Sequence, residues 1–109
     1  MSVIESITPS RQGDGVQWLV TCEPFTEPIR AQLLGDNPHA VRAVAKVSER
    51  VIHIAGEDCG VIVTLNAGTM TIRFRTSSQN VNINYFRREI EEAIQNFLII
   101  PLTARASNI

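Results

Sequence analysis

Along this chain apolar residues recur at two spacings, every second position in some segments and every third or fourth in others, with Pro, Gly and Asn marking the boundaries. Val3 to Thr8 reads as a short strand closed by Pro9, and Ser10 to Gly15 reads as a turn. Val16, Trp18, Val20 and Cys22 then alternate with Gln17, Leu19 and Thr21, which predicts a strand burying Trp18 on one face. Thr26 to Gly35 predicts a short helix, with Thr26 as its cap, Pro28 in the first turn, Ile29 and Leu33 on one face and Gly35 as its stop.

Residues 37–55 fit both periods. Asn37-Pro38 is a helix start, and Val41, Val44, Val47 or Ser48, and Val51 make one stripe. Val41, Ala43, Ala45 and Val47 equally alternate with polar and apolar neighbours, which would make Val51 to Ala55 a second strand after a turn at Ser48 to Arg50. Four valines and few strong surface helix formers tip the expectation towards two strands.

The following segment is clearer. Val61 to Leu65 and Met70 to Phe74 form a hairpin, and parity constrains its loop. Residues opposite one another in an antiparallel pair share a face, so only an even loop sets Val63 against Ile72 and Leu65 against Met70. A one-residue slip would turn one apolar face to solvent. Asn82 or Asn84 can cap the last helix, whose stripe is Phe86, Ile90, Ala93, Ile94 and Phe97. The apolar run Phe97 to Leu102 exceeds what one stripe requires.

These elements predict an α+β fold. A single antiparallel, mostly meander sheet is packed by a long C-terminal helix and by a short helix near residues 27–35. At 109 residues the chain is one domain, 1–102, with 103–109 read as a flexible tail. Isoleucine and valine outnumber aromatic residues, which suits a sheet.

Net charge is −1, from 10 basic and 11 acidic residues, which argues against a basic nucleic-acid coat or a polybasic membrane anchor. No stretch approaches the roughly 20 apolar residues of a membrane span. The N-terminal residues lack a basic, apolar leader pattern, so a cytoplasmic protein with reduced thiols is expected.

Catalytic motifs are absent: no phosphate loop, no Gly-x-Ser-x-Gly elbow and no His-Glu-x-x-His. His39, His53, Cys22 and Cys59 include no Cys-x-x-Cys pair, so no metal site and no cofactor is expected. Glu57 and Asp58 would raise the Cys59 pKa rather than activate its thiol. Two features are not absorbed by the fold. Arg87 and Arg88 sit at the start of the last helix, where cations oppose the macrodipole at about 0.3–1 kcal/mol each at low salt. Arg73 and Arg75 lie on the outer face of the hairpin nearby in sequence, while Leu98, Ile99, Ile100 and Leu102 form the apolar excess.

The function expected from these features is a small non-enzymatic protein-interaction module that self-associates as a homodimer through the apolar run and docks on another protein. The alternative is a single-stranded nucleic-acid binder that uses Arg73, Arg75, Arg87 and Arg88 on the hairpin face and helix start.

Overall fold

A computed structural model describes residues 3–13, 15–22, 25–35, 37–56, 60–66, 69–76 and 81–106. Four strands, β1 (Ile4–Gln12), β2 (Gly15–Cys22), β3 (Ile62–Asn66) and β4 (Thr69–Thr76), form one antiparallel sheet in the order β1-β2-β4-β3. It consists of two hairpins joined through β2 and β4, where a plain meander would set β3 beside β2. Helices α1 (Glu27–Leu34), α2 (Pro38–Ala55) and α3 (Ile83–Ile94), a π-helical turn (Gln95–Ile99) and α4 (Ile100–Ala106) make up the second layer. The last three run on as one long C-terminal helix.

Both hairpins close with two residues between paired positions, Gln12 with Gly15 and Asn66 with Thr69. In the second, Val63 faces Ile72 and Leu65 faces Met70, the register that parity requires. Val16, Trp18, Val20, Cys22, Met70, Ile72 and Phe74 consequently share the inner face, and all are buried. Phe86 of α3 meets Phe74 edge-on, with ring centroids 5.8 Å apart. The Trp18 indole N–H donates to Thr76 Oγ1 at 3.0 Å, which satisfies both polar atoms inside the core.

β1 does not stop at Pro9. It runs on to Gln12 with Pro9 opposite Trp18, because β1 is an edge strand and a missing N–H is tolerated there. Its pairing shifts between Ile4 and Ser6, a bulge at Glu5. Thr26 stands at the start of α1 without a side-chain cap bond. The first turn is closed instead by its carbonyl accepting from the Arg30 N–H at 2.9 Å.

Residues 38–55 are one helix, not two strands. The Asn37 side chain accepts from the His39 N–H at 2.9 Å, Pro38 occupies the first turn, and the helix ends at Gly56, whose φ of +113° suits glycine. The buried stripe is Ala40, Ala43, Val47 and Val51, while Val41 is 64% exposed. Packing against the sheet and the C-terminal helix overrides the modest helix propensity of valine.

The C-terminal helix starts where Asn82 accepts from the Tyr85 N–H at 3.1 Å. Its core contacts are Phe86, Ile90, Ala93, Ile94, Leu98 and Leu102, while Phe97 is only half-buried. A stripe of every fourth residue drifts about 40° per step on an α-helix, roughly 160° from 86 to 102. The π turn, with the Ile100 N–H donating to the Gln95 carbonyl, takes up part of this drift and returns Leu98 and Leu102 to the core. It also falls just before Pro101, whose ring an unbroken α-helix would press against the Phe97 carbonyl. The helix continues through Thr103 to Ala106, into the segment read from sequence as a tail. Gln32 of α1 secures this end by donating to the Leu102 carbonyl at 2.9 Å.

Leu98→Ala is expected to cost about 2–5 kcal/mol in denaturant unfolding, whereas Ile100→Ala stays within about 0.5 kcal/mol. The opposite order would show that the π turn does not set the phase of this helix.

Candidate functional site

Register divides the sheet into two unlike faces. The outer face carries rows Ser6-Thr21-Thr71-Thr64, Thr8-Leu19-Arg73-Ile62 and Ser10-Gln17-Arg75. It is hydroxyl-rich, with two exposed arginines and an Ile62 that is 61% exposed. The Arg75 guanidinium lies over Gly15, where a Cβ would stand 2.8 Å from Nη2 and 2.9 Å from the Thr76 carbonyl oxygen. Glycine at 15 thus makes room for this arginine.

Arg73 and Arg75 are not brought together with Arg87 and Arg88. α3 packs on the inner face through Phe86, and its two arginines are exposed on the helix layer. The sheet stands between the two pairs, so they form no single patch. Glu91 turns to β1, where it accepts from the N–H groups of Val3 at 2.8 Å and Ile4 at 3.3 Å.

Of the apolar run, Leu98 and Leu102 lie in the core of the single chain, Ile99 is half-buried and Ile100 is 58% exposed. β1 is interrupted as an edge by its bulge and by Pro9, whereas β3, the opposite edge, reads Ile-Val-Thr-Leu-Asn with neither charge nor proline.

A third surface lies between α2 and the C-terminal helix, which run antiparallel. His39, Arg42, Lys46, Arg50 and His53 fall three or four residues apart, on one face of α2. His39, Arg42, Lys46 and Arg105 surround a cleft of about 240 Å³ floored by Phe97 and Pro101. Among the described residues no carboxylate lines it. It continues into a cleft of about 320 Å³ bounded by Lys46, Glu49, Arg50, His53 and Phe97. The Arg50 guanidinium carbon stands 5.5 Å from the centre of the Phe97 ring, and its Nη1 lies 3.7 Å from Glu89. The helical spacing of these cations is present in the sequence but is concealed while the segment is read as strands.

Among the described residues no three His, Cys, Asp or Glu side chains converge as metal ligands, and no helix is long and apolar enough to cross a membrane. Cys59, Glu57 and Asp58 lie outside the described residues. Burial, with a smaller contribution from the Glu91 carboxylate, pushes the Cys22 thiol up from 9.0 to about 12. No family model, curated protein or solved structure matches the chain.

Cys22 should resist alkylation in the native protein at pH 8 and react once the chain is unfolded, as read by peptide mass mapping. Because its thiol ionises less readily folded than unfolded, its contribution to stability is complete below pH 9 and declines as pH rises towards about 12. Native labelling of Cys22 at pH 8 would contradict its placement in the core.

Proposed function

We propose that the protein is a non-enzymatic interaction module that self-associates and docks on another protein. The observation that carries this reading is the β3 edge, with no charge, proline or bulge, beside a sheet face that no described element covers. An edge strand offers unpaired N–H and C=O groups at every second position, and most folds blunt such edges with charge, proline or bulges. β1 is blunted in this way and β3 is not. Two copies pairing β3 to β3 about a two-fold axis satisfy both edges at once. Such pairing continues the sheet across eight strands and, centred on Thr64, sets Ile62 of one copy beside the end of the other copy's β3.

The second reading, a single-stranded nucleic-acid binder, is supported by Arg73 and Arg75 on the outer face, among hydroxyl and amide side chains. It loses the contribution of Arg87 and Arg88 to the same surface. Retention of a labelled oligonucleotide at about 50 mM salt is its minimum requirement.

Light scattering of the wild-type protein should give about twice the 12.1 kDa chain mass. Ile62→Lys, which places a charge at the exposed edge and leaves the inner face unchanged, should give the single-chain mass. A wild-type protein that stays at the single-chain mass at high concentration would exclude self-association.

A further inference from the structure

The groove between α2 and the C-terminal helix has no part in the β3 contact, yet it gathers four of the chain's ten cationic residues and both of its histidines. We propose that this groove binds an acidic helical segment of a partner protein. Its carboxylates would meet Arg42, Lys46 and Arg105, and an apolar side chain would rest on Phe97 and Pro101. The proposal rests on the reading of the protein as a docking module and names the partner's chemistry.

Four observations favour this occupant over a nucleic acid. Arg42, Lys46 and Arg50 repeat every fourth residue, about 6 Å apart along α2, which is the spacing of carboxylates at i and i+4 on a facing helix. A shallow cleft between two antiparallel helices accepts a third helix, with apolar contact along its floor and ion pairs at its rims. The floor has one aromatic ring among the described residues, so successive bases would find no second ring to stack on. The net charge of −1 also gives the protein no general attraction for a polyanion, so recognition must come from local complementarity. Among the described residues the carboxylates at the groove stand at its His53 end: Glu49 lines that cleft and Glu89 faces Arg50. The acidic groups of the ligand are therefore directed to the end holding His39, Arg42 and Arg105.

The test uses the full chain and a fluorescent helical peptide that carries Glu at every fourth position with Leu on the adjoining face. A matched peptide with Gln for Glu and a mixed-sequence single-stranded oligonucleotide serve as comparisons. The Glu peptide should bind, and binding should weaken as salt rises. Combined Arg42→Glu, Lys46→Glu and Arg105→Glu, all at exposed positions, should weaken it at least about tenfold. Arg42→Lys should retain most of the binding. Equal affinity for the Gln peptide, or unchanged binding by the triple variant, would overturn the proposal. Tighter binding of the oligonucleotide than of the peptide, lost in the triple variant, would overturn it in favour of nucleic acid. The mass of each protein is measured alongside. A dimeric wild type that ignores the Glu peptide defeats the groove alone, and a monomeric wild type that binds it defeats self-association alone.

Discussion

The pairing of Gln12 with Gly15 and of Asn66 with Thr69 sets the register of both hairpins, and the surfaces of this protein follow from it. With this parity every large inward side chain of β2 and β4, from Val16 to Phe74, falls on one face. The helices must then pack on that face, since only there is apolar area removed from water on both sides. The other face is left mostly to threonine, serine, glutamine and arginine, with Leu19 and Ile62 among them. One residue of slip in either hairpin would exchange the two faces of a strand and leave half the core in solvent.

The helical layer meets a different constraint. Its longest stripe advances by fours, a period an α-helix cannot hold against a flat sheet, and the π turn at Gln95–Ile99 takes up part of the mismatch. That turn moves Leu98 inward and leaves Phe97 at the boundary with α2. The cationic groove is thus a by-product of core packing: the rotation that completes the core also exposes one face of Phe97 among Arg42, Lys46 and Arg50. Charge that has no net effect over the whole chain is concentrated by this geometry at one site.

Much of the sheet was legible from alternation alone. Trp18 and Cys22 point inward, the β3–β4 register is the one parity demands, and Asn82 caps the last helix. Three features were not legible, each for a physical reason. Residues 38–55 satisfy both periods over short windows, and only tertiary packing selects the helix. Pro9 can end a strand or sit on an edge, which depends on the final strand order. The four arginines at 73, 75, 87 and 88 are close in sequence, but an intervening sheet separates them, and no local pattern reveals on which side a following helix will pack. For the same reason the groove, built from residues up to 66 positions apart such as His39 and Arg105, was not visible beforehand.

On the proposed reading the working parts of this protein are an edge and a groove. In that proposal the edge joins like to like and the groove, on the helix layer, takes the partner. Hydrogen–deuterium exchange across a dilution series tests this most directly, because it reads the backbone amides of each strand separately. The amides of Ile62–Asn66 should gain protection as concentration rises, while the exposed edge of β1 should not change. Equal exchange in β3 at all concentrations, from a protein whose core strands remain protected, would contradict the account.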